Sequence, residues 1–320
     1  MSRAAVPAPV TKVLDAAGSW LPGTMAEVEG RLERIAAVSG GPLADDATAT
    51  LAAGGKRLRP LLVLISAGPG ESEAATSAAV AVELVHMATL VHDDVLDAAP
   101  LRRGRPTVLA TSGRPRATAT GDLLFSRAFA ELAGDGDRRR VALLTTASVA
   151  LARGELAQRR DAFDLSVEAE RYLDRCRLKT AALFECACTI GDAAADLAAF
   201  GRGVGLAFQL LDDVLDVTGP PERTGKARGT DLLDGTVTLP LILALARDPE
   251  LAKLDLRSLD AGAAERACDR IVATGATDEV RDLARGHVGS AKSELDRAGI
   301  DDERRRLLDL VADGVVERYA

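Results

Sequence analysis

Apolar residues recur every three or four positions over long windows of this chain of 320 residues. Residues 141–156, 171–189 and 304–316 show this spacing, which is the period of a helix with one buried face. The alternation typical of a half-buried strand is hard to find anywhere in the chain. The pattern therefore predicts an all-α fold, a helical bundle without a sheet.

Breaks in the apolar spacing divide the chain into separate helices. We predict helices over residues 25–38, 74–96, 117–133, 141–161 and 171–190, and further helices from residue 239 to the C-terminus. Residues 1–20 contain two prolines and several alanines, which predicts a loose N-terminal arm or a first helix that docks late. No linker or second boundary interrupts the series, so we predict a single domain over residues 1–320.

Two helices end in the same acidic pentapeptide, Asp-Asp-Val-Leu-Asp. The six carboxylates are Asp93, Asp94, Asp97, Asp212, Asp213 and Asp216. Helical residues four apart lie on one face, separated by about 5.4 Å along the axis. The first and last aspartates of each copy therefore share a face, and the middle aspartate lies one position round.

Several carboxylates at one helix end repel each other and are costly to bury without a cation. A single Asp-Asp pair is usually a solvated helix cap, but two identical copies after apolar helices favour a metal site. Oxygen ligands favour Mg²⁺ or Mn²⁺ over zinc, and Mg²⁺ completes its coordination with phosphate oxygens. If the two copies face each other, they predict a cavity that holds a diphosphate through several metal ions.

The net charge of −8 and the pI of about 5.1 argue against nucleic acid as the main partner. No apolar stretch reaches the ~20 residues of a membrane span, and the N-terminus lacks a signal region. The spacing of the four cysteines suits neither a disulfide nor a zinc site, so we interpret them as buried apolar residues. These features predict a protein of the cytoplasm.

Positive charge is concentrated in two short segments. Lys56 and Arg59 follow a glycine pair at a helix start and can converge on an anion; the alternative is a glycine C-cap followed by solvated side chains. Arg102 and Arg103 follow the first aspartate motif and can each clamp phosphate oxygens, or can simply balance the aspartates.

Other polar residues lie where they can reach such a site. His86 is seven positions before Asp93 and projects to nearly the same side of the helix. Lys179 and Thr180 interrupt an apolar stretch, and Gln209 lies one turn before the second motif. Residues 219–231 are irregular and rich in glycine and basic residues, which predicts a mobile lid that donates Lys226 to the substrate; a plain surface loop is the alternative.

Three segments in this order, GGKRLRP, LVHDDVLDAAPLRRGRPT and FQLLDDVLD, resemble the trans-isoprenyl diphosphate synthases of the polyprenyl synthetase family. The resemblance covers residues 54–240. It implies a helical fold around a deep cavity, usually in a homodimer, and head-to-tail condensation of an allylic diphosphate with isopentenyl diphosphate. A requirement for a second, different chain stays open.

The resemblance also implies roles for individual residues. Asp93, Asp97 and Asp212 would hold Mg²⁺, with the other three aspartates completing the coordination directly or through water. The allylic diphosphate would be bound by Arg102, Lys179 and Lys226, with Thr180 and Gln209 nearby. Isopentenyl diphosphate would be bound by Lys56, Arg59, His86 and Arg103. The sequence departs from the family at Thr236, where a diphosphate-binding lysine is common.

Product length can be argued from helix geometry. Ala81, Val85, Ala88 and Thr89 form a stripe beside the first metal face, and each turn of about 5.4 Å is close to one isoprene unit. An aromatic side chain on this stripe would stop chain growth, and none is present. This predicts a medium- or long-chain product, with geranylgeranyl or farnesyl diphosphate as the alternative. Two other interpretations are a class I terpene cyclase, which would normally have a different second motif, and a non-catalytic subunit, which would typically lose one motif. This chain keeps both aspartate motifs.

Overall fold

The computed structural model describes residues 8–38, 40–70, 72–192, 194–219 and 228–317, and nearly all of this part of the chain is helical. The predicted all-α class is confirmed. The α-helices are α1 Ala8–Ala16, α2 Trp20–Val38, α3 Gly41–Ala52, α4 Leu58–Ala67, α5 Glu73–Leu96, α6 Val108–Asp135, α7 Arg138–Asp161, α8 Ala169–Cys176, α9 Ala182–Ile190, α10 Ala198–Thr218, α11 Thr230–Leu233, α12 Leu239–Leu245, α13 Ala261–Ala273, α14 Ala276–Glu294 and α15 Asp302–Glu317.

Short elements connect these helices. A π-helical turn, Arg177–Ala181, joins α8 to α9 and makes one continuous bent helix. Two-residue strands, β1 Leu101–Arg102 and β2 Arg105–Pro106, pair antiparallel directly after the first aspartate motif. Short 3₁₀ turns lie at Leu251–Lys253, Leu256–Ser258 and Leu295–Arg297.

The N-terminal segment is a docked helix from residue 8 onward. Lys12 Nζ lies 2.7 Å from Glu317 Oε2, which ties α1 to the C-terminal helix α15. Gly314 lets the two helices approach closely, since a Cβ there would lie 2.8 Å from Pro9 Cβ. Of the two alternatives for the N-terminus, the docked helix holds for residues 8–16, and residues 1–7 lie outside the described part.

Helix α6 begins at Val108, nine residues before the predicted start. Its N-terminus is capped by Thr107, whose hydroxyl accepts a hydrogen bond of 3.1 Å from the Ala110 amide. Gly113 has a φ of 78° and breaks the helix, and Pro115 follows two residues later. The apolar spacing predicted only the regular part after this kink, because a cap and a kink do not follow the helical period.

Helix α5 is the core helix. It packs along α6 and also against α4, α2 and α9, so most of its circumference is buried. Small residues such as Ala78, Ala81 and Ala88 allow this close packing, and none of the three is exposed. By length and a mean hydropathy of 1.6 α5 could cross a membrane, but 78% of its apolar window is buried within the fold.

The four cysteines are buried and free, as the sequence predicts. Burial raises the pKa of the thiols of Cys176, Cys186 and Cys268 to about 12. A buried neutral thiol packs like a small apolar side chain.

Candidate active site

The first aspartate motif lies at the C-terminal end of α5. Burial raises the pKa of Asp93 to about 6, although the nearby Lys179 opposes this rise. Asp97 caps the helix and forms an ion pair with Arg159 of α7. The middle residue, Asp94, is only 5% exposed and accepts a hydrogen bond of 2.7 Å from Arg102 Nε. The outer carboxylates therefore border the site, and Asp94 holds the β1–β2 hairpin.

The hairpin positions the two arginines. Arg103 and Gly104 have φ angles of 53° and 73°, which is the left-handed backbone of a tight turn. The turn is closed by Thr107, whose hydroxyl donates to the Ala99 carbonyl over 2.7 Å. Arg103 Nη1 donates to the Gly54 carbonyl, which joins the hairpin to the glycine pair before α4.

A cavity of about 90 Å³ lies between α3, α5 and the start of α6, and His86, Arg102 and Arg103 line it. Burial and the neighbouring Arg59 hold the pKa of His86 well below its usual range, so its imidazole is neutral. Burial also lowers the pKa of Arg59 to about 10. Its guanidinium lies 4.6 Å from the centre of the Phe184 ring.

Lys56 lies on a different side of the basic group formed by Arg59, His86, Arg102 and Arg103. It lines a small, mainly apolar cavity of about 30 Å³ together with Phe208 of α10 and Val311 of α15. Phe208 in turn contacts Phe184, with ring centres 5.4 Å apart. The structure thus gathers Arg59, His86, Arg102 and Arg103, and places Lys56 beside the aromatic pair.

Arg57 orders the start of α4, where Lys56 and Arg59 lie on either side of it. Its φ of 49° is unusual for a residue with a side chain, and its guanidinium reaches two helices. Nε lies 2.5 Å from Glu29 Oε1 of α2, and Nη1 lies 2.8 Å from Glu83 Oε1 of α5. Glu83 is almost fully buried, so this ion pair fixes the start of α4 to the core.

The π turn connects both aspartate motifs. Lys179 forms an ion pair with Glu155 of α7, which also accepts a hydrogen bond of 2.8 Å from Arg159 Nε. The hydroxyl of Thr180 donates to Gln209 Oε1 over 2.6 Å. Lys179 therefore belongs to the first motif, and Thr180 to the second. A π turn inside an α-helix frequently marks a functional site.

The second aspartate motif lies near the end of α10. Asp212 is exposed, Asp216 is half-buried, and Asp213 is only 3% exposed. Burial raises the pKa of Asp213 to about 8, against the hydrogen bonds from Tyr172 and Gln209. Tyr172 Oη donates to Oδ2 over 2.5 Å, and Gln209 Nε2 donates to Oδ1 over 2.7 Å.

The segment after the second motif returns to it. The amides of Gly229 and Asp231 donate to the carbonyl and to the Oδ2 atom of Asp216 over 3.0 and 3.2 Å. The amide of Thr236 donates to the Asp231 carbonyl over 2.7 Å, so the position without the family lysine lies close to the motif. Lys226 and the rest of the predicted lid at residues 220–227 lie outside the described residues.

The stripe predicted to set product length is well packed. Ala81, Val85 and Ala88 are fully buried, and Thr89 is partly exposed with its hydroxyl donating to the His86 carbonyl over 2.8 Å. All four side chains are small or aliphatic. The limit on product length stays a prediction.

Sequence reasoning missed Tyr172, Arg159 and the Arg57–Glu83 pair. Tyr172 lies seven residues before Lys179, a helical spacing that would have placed it on the same face. Arg159 lies four residues after Glu155, the spacing of a helical ion pair. Nothing in the local spacing indicates that Arg57 reaches α2 and α5.

The carboxylates of the two aspartate motifs can hold a divalent cation only when a phosphate ligand completes its coordination. Among the described residues, no three acidic, histidine or cysteine side chains converge closely enough to hold an ion alone. The outer aspartates supply carboxylate oxygens from two helices, and Lys179 and Arg102 supply positive charge for an anion beside them. Mg²⁺ typically uses one or two protein carboxylates and completes its coordination with substrate phosphates.

A helical fold that brings two aspartate motifs and a basic pocket around one π turn defines a prenyltransferase that acts on diphosphates. The chain belongs to the polyprenyl synthetase family, whose model matches residues 42–273. It is 40% identical over 309 residues to heptaprenyl diphosphate synthase component 2 of Geobacillus stearothermophilus, covering 93% of this chain and 97% of that one.

Two further relatives define the range of the family. The short chain isoprenyl diphosphate synthase of Methanothermobacter thermautotrophicus is 35% identical, with coverage of 84% of this chain and 88% of that one. The crystal structure of a polyprenyl synthase from Caulobacter crescentus, complexed with calcium and isoprenyl diphosphate, superposes with a TM-score of 0.87 at 34% identity, and each chain is covered to 100%. The family is therefore certain, and its members differ in product length.

Proposed function

We propose that this enzyme is a Mg²⁺-dependent trans-polyprenyl diphosphate synthase that condenses isopentenyl diphosphate head to tail with an allylic diphosphate. The observation that carries the proposal is the π turn, where Lys179 lies beside the first aspartate motif and Thr180 contacts the second through Gln209. A diphosphate bound at this turn lies within reach of both sets of carboxylates. We propose Mg²⁺ as the metal, with Mn²⁺ able to replace it.

The chemistry follows from the charges around the turn. Mg²⁺ held by the outer aspartates would supply positive charge to offset the negative charge of the leaving diphosphate. Lys179 and Arg102 hold that diphosphate as the C1–O bond breaks and an allylic cation forms. The π electrons of isopentenyl diphosphate form the new bond to C1, and the released diphosphate takes the proton that is lost. No protein nucleophile is needed, and the buried cysteines agree with that.

The second substrate, isopentenyl diphosphate, is held by the basic group that contains Arg59, His86 and Arg103. Arg59 and Arg103 supply positive charge for its diphosphate, and the neutral imidazole of His86 supplies a hydrogen bond. The cavity that His86 and Arg103 border is also lined by apolar residues, including Met87 and Leu90. Apolar walls exclude water, which would otherwise quench the allylic cation.

We propose a medium- or long-chain product, of hexaprenyl length or longer. Support comes from the small side chains of Ala81, Ala88 and Thr89 next to the first motif. The relative with 40% identity is named for a heptaprenyl product, which agrees with this proposal. The alternative is a short-chain product, which is the activity named for the relative from Methanothermobacter thermautotrophicus.

We also propose a homodimer in the cytoplasm. Val149 and Leu156, seven apart on α7, are 54% and 70% exposed and form an apolar stripe that a second copy would cover. The relative from Geobacillus is named as one component of an enzyme, so a different partner chain is the alternative. Light scattering of the purified chain, with and without substrates, distinguishes a dimer from a monomer that needs a partner.

The decisive experiment combines purified protein, Mg²⁺, isopentenyl diphosphate and farnesyl or geranylgeranyl diphosphate, followed by mass spectrometry of the products. We expect a ladder that ends at one long product and disappears with a chelator. A product of farnesyl or geranylgeranyl length alone would contradict the long-chain proposal. A hydrocarbon formed without isopentenyl diphosphate would indicate a cyclase, and diphosphate binding without any product would indicate a regulatory subunit.

A further inference from the structure

The carboxylate of Asp213 is enclosed by hydrogen bonds. Tyr172 Oη donates to Oδ2 over 2.5 Å, and Gln209 Nε2 donates to Oδ1 over 2.7 Å. Asp213 and Tyr172 are only 3% and 1% exposed. Both oxygens of this aspartate therefore have protein donors inside the fold, and its neighbour Asp212 is exposed.

The donors themselves are fixed in orientation. Gln209 Oε1 accepts the hydroxyl of Thr180 over 2.6 Å, so the amide nitrogen of Gln209 must face Asp213. Tyr172 precedes the π turn and Thr180 lies within it, so both belong to one bent helix. This helix therefore contacts α10 at two points, through Tyr172 at Asp213 and through Thr180 at Gln209.

The backbones of the two helices also touch. A Cβ on Gly201 would lie 2.7 Å from the Phe184 carbonyl oxygen, and a Cβ on Gly205 would lie 2.7 Å from Ala181 Cα. Such an approach is possible only for glycine. The spacing between α10 and the bent helix is thus set by glycine contacts, and the rotation of α10 about its axis by the hydrogen bonds from Tyr172 to Asp213 and from Thr180 to Gln209.

Neighbouring residues on a helix project about 100° apart, so the direction of one side chain decides the direction of the next. With Asp213 held inward, Asp212 projects to solvent and Asp216 toward the segment around Asp231. We propose that Asp213 anchors helix α10 and is not a metal ligand, and that Tyr172 is the positioning residue that holds this anchor. The inference rests on the proposed function, because it assigns the outer aspartates to the metal-bound diphosphate.

A positioning role makes a different prediction from a purely structural one. Loss of the Tyr172 hydroxyl leaves the ring and its packing in place, so the fold persists. Asp213 then loses one donor, and the outer aspartates lose their fixed direction relative to Lys179. Removing a residue that orients metal ligands typically weakens metal binding or activity by about 10- to 100-fold. A structural hydroxyl would change only the melting temperature.

The test uses Tyr172→Phe and measures the binding of inorganic diphosphate in the presence of Mg²⁺ by calorimetry, together with kcat. We expect binding to weaken and kcat to fall, each by about 10- to 100-fold. The KM for isopentenyl diphosphate should stay the same, because its pocket lies between α3, α5 and the start of α6 and is not lined by α10. Thr76→Val is the matched control, since Thr76 is also buried but lies 17 residues before Asp93 on α5.

A double mutant separates the anchor from a ligand. If Tyr172 acts through Asp213, then Tyr172→Phe should have no further effect on diphosphate binding in an Asp213→Asn background. Multiplicative effects, or a Tyr172→Phe variant that binds diphosphate like the wild type, would overturn the inference. A wild-type protein that binds diphosphate and forms no product would contradict the proposed function alone, because the binding data still test the anchor.

Discussion

Lys179 and Thr180 are adjacent in the chain, yet their side chains serve different aspartate motifs. Lys179 pairs with Glu155 and lies near Asp93, whereas Thr180 donates to Gln209, the partner of Asp213. The π turn that contains them carries one more residue per turn than an α-helix. This turn brings the two halves of the site into one network of contacts.

The close approach of Gly154 to this turn leads to a first prediction. A Cβ at Gly154 would lie 2.6 Å from the Lys179 amide nitrogen. Gly154→Ala should therefore displace the π turn, cost about 1–3 kcal/mol of stability and lower kcat. The control is Gly286→Ala on α14, where a Cβ meets no atom within 4 Å. That variant should gain about 0.5–1 kcal/mol, measured by urea unfolding, with unchanged kcat.

Arg159 should compete with metal ions for Asp97. The two side chains form an ion pair, and Arg159 also binds Glu155. Binding of Mg²⁺ must disrupt the pair with Asp97, so Arg159→Gln should lower the Mg²⁺ concentration needed for half-maximal activity. Titration of activity with Mg²⁺ at saturating substrate checks this. A higher Mg²⁺ requirement would instead assign Arg159 to binding of the diphosphate. The control is Arg202→Gln on α10, which removes an arginine from an exposed ion pair with Glu185.

The pair between Arg57 and Glu83 should support the isopentenyl diphosphate site. Glu83→Gln leaves a buried guanidinium with a weaker acceptor, which should reduce the free energy of unfolding by about 1.5–3 kcal/mol. The start of α4, which carries Arg59, should lose its fixed position, so the KM for isopentenyl diphosphate should rise. The KM for the allylic substrate should change little, and equal changes in both KM values would refute this assignment. Glu250→Gln, in an exposed pair, is the control for loss of charge.

The cysteines should be inert in the folded protein. Burial raises the pKa of Cys176, Cys186 and Cys268 to about 12, and the pKa of Cys188 lies even further above its usual range. The thiolate is the reactive form. Ellman's reagent at pH 8 should therefore label less than one thiol per chain in buffer and all four in guanidinium chloride. Rapid labelling of the native protein would show that a cysteine is accessible.

Helical spacing was sufficient to predict the all-α class, and a shared face for the outer aspartates of each motif. Both are local properties, because residues four apart on a helix lie on one face whatever surrounds them. His86 and Arg103, which the resemblance assigns to isopentenyl diphosphate, line one cavity in the structure, and their role in binding that substrate stays a prediction.

Tertiary packing decided the rest. The sequence shows that Asp213 projects away from Asp212, but the approach of Tyr172 from another helix, where Asp213 is buried and Asp212 exposed, appears only in the fold. The contact between Gly154 and the π turn likewise depends on a neighbouring helix. Apolar spacing records which face of a helix is buried but carries no information about its partner, so contacts between residues far apart in the chain appear only in the folded structure.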